Sequence, residues 1–422
     1  MTAATGDLRC AVIGAGIGGL AAALSLHEVG AHVEVFDSVR QVRALGVGIN
    51  LLPHAVRELD AMGLLESLTG QFVAPSRLLY CTRRGQEIWQ EPRGRTAGYP
   101  WPQVSIHRGV LQAVLLDAAV QRLGADRLHL GRRLVRVDDA GDRVWAVFED
   151  GTHEADVVVA ADGIHSVARA QRYPAEGPPR WNGSLMWRGM AEIDPVLDGR
   201  TMVWAGHPEQ KFVGYPIADL TGGRQVFNFI AELRRPESDL AAGEDWNRAG
   251  SLEDFLPCFE GWDFGWIDVP TIIRAAPQTF LFPMVDRDPL PHWTFGCSTL
   301  LGDAAHPMYP IGSNGASQAI LDARALAGCL RRHPGDIDEG LERYEQARRP
   351  ATAAIVEANR ALGPELPMLL VEQRAPDGFA DIAHVISPEE IGRVTEGYRR
   401  TAGFSLAALQ RGISLIEEPY SA

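Results

Sequence analysis

The run Gly14-Ala15-Gly16-Ile17-Gly18-Gly19, set between a β-prone stretch and an Ala/Leu-rich one, constrains this chain more than any other feature. Leu8 to Ile13 reads as a strand, Leu20 to Val29 as a helix stopped by Gly30, and His32 to Phe36 as a second strand. That is one βαβ unit, the context in which G-x-G-x-x-G carries meaning. Gly14 permits the tight turn. Gly16, without a side chain, lets a pyrophosphate approach the backbone at the helix N-terminus, with Ile17 an expected cofactor contact beside it, and Gly19 allows helix and strand to pack closely. Asp37 lies at the end of the second strand, where a carboxylate accepts hydrogen bonds from ribose hydroxyls and repels a 2′-phosphate. The expected ligand is FAD or NAD rather than NADP. Gly46-Val47-Gly48 lacks a third glycine, so one dinucleotide site is expected.

A chain of 422 residues with 46% hydrophobic content can bury two domains, or three. The formal net charge of −14 argues against nucleic acid and against stable membrane association, since both need clustered Lys and Arg. Five scattered cysteines, never in a CxxC pair, suggest neither a disulfide framework nor a metal site. The apolar stretch from Ala11 to Leu26 is interrupted by four glycines and is not read as a signal-peptide core. A cytoplasmic protein, monomer or homodimer, is expected.

Further along, Leu134 to Val137 and Val144 to Glu149 alternate as a hairpin, and Ala155 to Ala161 and Thr299 to Leu301 read as buried strands. Residues 173–297 turn into short β-prone pieces and hold seven of the ten tryptophans, which predicts an inserted, mainly antiparallel sheet. Helices are expected at Gln318 to Leu330, Asp338 to Arg348 and Ala351 to Leu362. The predicted class is α/β: a Rossmann-type dinucleotide-binding domain (1–172 and 298–365), an inserted β-sheet substrate domain (173–297) and a C-terminal helical tail (366–422).

Two further motifs follow buried strands: Asp162-Gly163-Ile164-His165-Ser166 and Gly302-Asp303-Ala304-Ala305-His306-Pro307, the latter running on to Pro310-Ile311-Gly312-Ser313-Asn314-Gly315. With the glycine turn, and in this order, they resemble the single-component flavin-dependent aromatic hydroxylases related to para-hydroxybenzoate hydroxylase. Gly46 to Asn50, Ser105 to Gly109, Met186-Trp-Arg-Gly189 and Pro283 to Trp293 are similar to the subgroup containing the phenazine hydroxylase of pyocyanin biosynthesis. The resemblance runs from about residue 8 to about residue 360 and selects FAD over NAD. It implies that Asp162 serves FAD and transient nicotinamide, that Asp303 holds the ribityl chain, and that Pro310, Gly312, Asn314, Gly315 and Ala316 lie against the flavin. By family position Arg108 and Gln112 contact FAD, Arg43 stands at the flavin entrance, and Arg348-Arg349-Pro350 is structural.

The chemistry so implied uses NADH or NADPH as a transient reductant and O2 to hydroxylate a small aromatic substrate through a flavin C4a-hydroperoxide, with or without decarboxylation. The flavin does the oxygen chemistry while the protein orients the substrate and excludes water. Tyr215, in Val213-Gly-Tyr-Pro216, is the first catalytic candidate, and His306 is the second, as a proton shuttle or a loop brace. Asn50, Trp187, Tyr215 and Met284 are the expected substrate contacts. The readings left open are a flavin oxidase or halogenase, and a flavin-fold binding protein without catalysis.

Overall fold

The strand Arg9–Ile13 is buried from Cys10 to Ile13, which suits a run apolar on both faces. It pairs in parallel with His32–Asp37 on one side and Val157–Ala160 on the other. Leu128–Leu130 extends this sheet beyond His32–Asp37. Ser298–Leu300 extends it at the other edge, where Thr294–Phe295 folds back antiparallel. The helix Ile17–Glu28 makes the first crossover, and its small residues Ala21, Ala22 and Ala23 let it pack closely between Arg108–Leu123 and Gly315–Arg332. These elements belong to a computed structural model that describes residues 8–42, 46–141, 143–239 and 248–418.

The expected hairpin is present as Leu134–Asp139 and Val144–Phe148, with Gly151–Ala155 as a third strand. The short β-prone pieces form a seven-stranded sheet in the spatial order Thr279–Asp286, Arg180–Ile193, Gln225–Arg234, Gln210–Asp219, Thr201–His207, Arg77–Cys81, Glu87–Pro92. Its last two strands come from well ahead of residue 173, because the apolar run Leu78-Leu-Tyr-Cys81 pairs in parallel with Thr201–His207. Alternation divides this sheet cleanly. Trp187, Phe212 and Phe229 face a core shared with the helix Val269–Ala275, whereas Met186, Trp204 and Tyr215 face the opposite way. A small sheet of Gly48–Leu51, Val104–His107 and Phe72–Val73 touches the strand Gln210–Asp219 and joins the two larger layers.

One helical expectation is corrected. Asp338 to Arg348 and Ala351 to Leu362 are not two helices; Ile337–Arg360 runs unbroken through Pro350. Tyr344, Arg348, Thr352, Ile355 and Asn359 are buried along one stripe on both sides of the proline, so packing outweighs the lost N–H. The Thr352 hydroxyl donates back to the Arg348 carbonyl at 3.1 Å in the same turn. The tail folds as the helices Leu366–Arg374, Pro388–Thr401 and Leu406–Gln410.

Candidate active site and flavin cleft

The three glycines divide the work of the turn as their positions predict. Gly14 has φ +109°, and a Cβ there would stand 2.3 Å from the Ala161 carbonyl oxygen. A Cβ on Gly19 would stand 1.8 Å from the Gly14 carbonyl oxygen, so helix and strand are in contact there. At Gly16 a Cβ would meet no atom within 4 Å, which leaves a cradle for a ligand at the head of the helix. The Ala15 residue just before it is gripped on both sides. Asp37 accepts from the Ala15 N–H at 2.6 Å, and the Gln112 amide donates to the Ala15 carbonyl at 2.8 Å. Asp37 and Gln112 therefore brace the turn.

From the turn opens a cavity of about 650 Å³ that reaches the seven-stranded sheet. Gly16, Ile17, Asp162, Asp303 and Arg108 border its first half. One Asp162 oxygen accepts from the Val167 N–H at 2.8 Å, while the other is buried without a partner. Burial pushes the Asp162 carboxyl up, against its hydrogen bonds from Ser166 and Val167. Asp303 is open to the cavity, yet desolvation by the protein around it pushes its carboxyl up, opposed by His306 and Arg108. Arg108 opens the helix Arg108–Leu123 and, among the described residues, has no ion-pair partner. Pro310, Asn314, Gly315 and Ala316 lie in the wall where the helix Gly315–Arg332 begins, so its positive end faces the cavity. An open glycine cradle, an unpartnered buried carboxylate oxygen, an unpaired arginine and two helix N-termini fit a dinucleotide with a sugar chain and a flat ring.

The second half of the cavity rests on the sheet. Tyr215 is buried and donates to the Gly48 carbonyl at 2.8 Å, and Arg188 donates to the same oxygen at 2.8 Å. Burial raises the Tyr215 pKa, which Arg188 opposes, so the phenol is neutral at physiological pH. Asn50 accepts from the Ser105 hydroxyl at 2.5 Å and borders the cavity, as does Met284. Apolar side chains Met186, Trp204, Val213, Ile230 and Phe282 complete the wall.

Three expected site residues lie elsewhere, and a fourth is not among the described residues. His306 does not border the cavity; its Nε2 is 2.5 Å from Asp322, which also accepts from Arg348 at 2.7 Å, and its ring packs on Trp293. Of its two proposed roles it has the geometry of the loop brace. Trp187 faces the far side of the sheet and stacks on Phe255 at 5.1 Å, because its neighbours Met186 and Arg188 take the cavity side. Gly312, at φ +69°, turns toward Tyr398, whose hydroxyl would lie 2.1 Å from a Cβ there. Arg43 lies outside the described residues.

Sequence reasoning missed Arg188, Trp204, Lys211, Glu232 and Glu365, all of which border the cavity. Strand alternation carries a signal for one of them. Lys211, Val213 and Tyr215 share a face, so placing Tyr215 in the site places Lys211 there as well. No comparable pattern points to Glu365, which comes from a turn between helices.

Comparison with known proteins agrees with this geometry. A model of the FAD binding domain matches residues 7–244 and 284–359. The chain is 44% identical over 371 residues to a phenazine 1,6-dicarboxylic acid hydroxylase from Lysobacter antibioticus, covering 85% of this chain and 91% of the relative. It is 35% identical over 382 residues to a 3-amino-4-hydroxybenzoate 2-monooxygenase from Streptomyces cremeus, covering 88% and 89%. An FAD-bound point variant of HpxO from Klebsiella pneumoniae superposes with a TM-score of 0.72 at 25% identity, over 94% of this chain and 98% of that one. The chain belongs to the FAD-binding family of aromatic hydroxylases and is an FAD-dependent monooxygenase acting on a small aromatic substrate with O2.

Proposed function

We propose that this chain uses NADH or NADPH to hydroxylate a carboxylated, fused-ring heteroaromatic of the phenazine type, with or without loss of a carboxyl group. The observation that carries the substrate class is Arg188. Its half-buried side chain borders the cavity, has no acidic partner among the described residues and keeps a buried Nε without a hydrogen-bond acceptor. A cation left in that state is costly unless a ligand anion completes it. The Lysobacter relative, named for a phenazine dicarboxylic acid, supports the same class.

FAD, when bound, supplies electron transfer from the nicotinamide and activation of O2. The protein's part is positioning. The turn at Gly16 and Ile17 receives the pyrophosphate, Asp37 and Asp303 take sugar hydroxyls, and Asp162 and Arg108 add polar contacts. Pro310, Asn314, Gly315 and Ala316 offer backbone to the flat ring. Arg188 fixes the substrate carboxylate. Tyr215, its hydrogen committed to Gly48, presents a lone pair to a substrate hydroxyl or ring N–H. Met186, Trp204, Ile230 and Phe282 keep water away during oxygen transfer. In this reading residues 1–172 and 298–365 hold the cofactor, 173–297 the substrate, and the protein works in the cytoplasm as a monomer or homodimer.

The test is NAD(P)H oxidation by the FAD-loaded protein across phenazine, quinoline and single-ring carboxylates, with products weighed by mass spectrometry. Substrate-stimulated oxidation and a product heavier by one oxygen atom, or one carboxyl lighter and one hydroxyl heavier, are expected. Stimulation by uncarboxylated analogues alone would overturn the substrate class.

A further inference from the structure

On the sheet side of the cavity, one ladder step beyond Arg188, three charged side chains meet. Lys211 Nζ is 2.5 Å from Glu365 and 2.9 Å from Glu232, and the relative exposures of the three side chains are only 4%, 5% and 5%. All three border the cavity. Two buried carboxylates thus share a single ammonium, and among the described residues neither glutamate has another cationic partner. Burial pushes the Glu365 carboxyl up, Lys211 opposes the rise, and Glu232 adds to it. The cluster is one positive charge short, and buried charge of this kind is satisfied by a proton or by hydrogen-bond donors.

Its place relative to Arg188 is set by the sheet. Arg188 stands opposite Ile230, and Met186, two residues earlier, stands opposite Glu232, which in turn pairs with Lys211. Along the strand the position of Arg188 and the position opposite Glu232 are two residues, about 7 Å, apart, a spacing comparable to the long dimension of a fused-ring aromatic. Met186, Ile230 and Phe282 supply apolar surface near both ends.

We propose that Glu232 and Glu365, held by Lys211, form a recognition wall for a proton-bearing edge of the substrate: a ring N–H, an amino group, a hydroxyl, or a carboxyl that keeps its proton. The inference rests on the reading of the cavity as the site for a carboxylated heteroaromatic and adds what its other edge must carry. Arg188 takes the anion, and the glutamate pair takes the donor, so the ring system has one orientation in the slot. An edge that is aprotic, or that must arrive fully ionised, leaves the pair uncompensated.

The FAD-loaded enzyme tests this by equilibrium titration, read as the change in flavin absorbance. The probes are 6-hydroxyphenazine-1-carboxylate, 6-methoxyphenazine-1-carboxylate and unsubstituted phenazine-1-carboxylate. The first keeps the donor, the second blocks it, and the third removes it without adding bulk. The wild-type protein is expected to bind the hydroxy compound about tenfold more tightly than either of the others. In Glu232→Gln and Glu365→Gln the preference falls to about twofold or less. Equal affinities in the wild type overturn the proposal without recourse to any variant, and so does a preference retained in both variants, or the absence of any flavin perturbation by the three probes at millimolar concentration. Failure of the underlying function is a separate observation: a wild-type protein that hydroxylates no carboxylated aromatic defeats that reading, whereas one that does so without preferring a donor defeats only this one.

Discussion

The phenol of Tyr215 donates to the carbonyl oxygen of Gly48 at 2.8 Å, tying the seven-stranded sheet to the strand Gly48–Leu51 beside the cavity. Tyr215→Phe removes that bond while Arg188 still donates to the same carbonyl, so the expected loss of stability is small, about 1 kcal/mol. The larger effect falls on chemistry. The fraction of consumed NAD(P)H that appears as hydroxylated product is expected to drop several-fold, with FAD affinity within about twofold of wild type. Product yield measured against nicotinamide consumption checks this, and an unchanged ratio removes Tyr215 from the site.

Gly16 and Gly19 separate ligand binding from folding. Gly16→Ala places a methyl group where a Cβ meets nothing within 4 Å, so thermal stability should change by less than about 0.5 kcal/mol. FAD affinity should nevertheless weaken by at least about tenfold, because the methyl occupies the cradle. Gly19→Ala, whose Cβ would stand 1.8 Å from the Gly14 carbonyl, should destabilise the fold itself. Thermal melting of the FAD-free protein, combined with a flavin fluorescence titration, distinguishes the two outcomes.

Asp322 predicts acid sensitivity. Burial works against its ionisation, but His306 and Arg348 outweigh burial and hold its carboxyl below the usual range. A carboxyl depressed in the folded state stabilises fully above its unfolded value near ~4, and the contribution disappears as pH falls through the lower folded value. Asp322→Asn breaks a buried network and is expected to cost about 3–5 kcal/mol near neutrality. Urea melts from about pH 6 to about pH 3 should then show a shallower loss of stability in the variant than in the wild type. Parallel curves would remove Asp322 as the source of the pH dependence.

Trp187 and Trp204 occupy opposite faces of one sheet. Trp187→Ala is expected to destabilise the protein by about 3–5 kcal/mol through the cavity left beside Phe255, with aromatic-ligand affinity little changed. Trp204→Ala should weaken ligand binding directly, since Trp204 borders the cavity. Melting temperatures and phenazine-1-carboxylate titrations on both variants make the comparison, and a ligand defect confined to Trp187→Ala would reverse the assignment.

The cofactor half was legible because its signals are local. Gly14, Gly16, Gly19 and Asp37 sit within one βαβ unit, and Asp162 and Asp303 follow strands that show in the sequence as continuous apolar runs. The sheet half depends on pairings distant in sequence. Trp187 is an expected substrate contact, yet the two-residue period of its strand sends Arg188 to the cavity and Trp187 to the core. Glu365 could not be read at all. It reaches Lys211 across 154 residues of sequence, and only the path of the C-terminal segment brings them together. Pro350 misled in the opposite sense, since a local helix-breaking rule was overridden by the buried stripe on either side of it.

The parallel pairing of Arg77–Cys81 with Thr201–His207 has a consequence for biosynthesis. The register places Arg77 beside Thr201, 124 residues later. At about 5–20 residues per second, a ribosome takes roughly 6 to 25 seconds to deliver that partner. Throughout the interval Leu78, Leu79 and Tyr80, at 0%, 8% and 0% exposed in the finished fold, have the strand Glu87–Pro92 and the Trp89 ring beside them but lack their partner on the other edge. Synthesis rate and chaperone supply should therefore bear on how much folded protein a cell obtains from this gene.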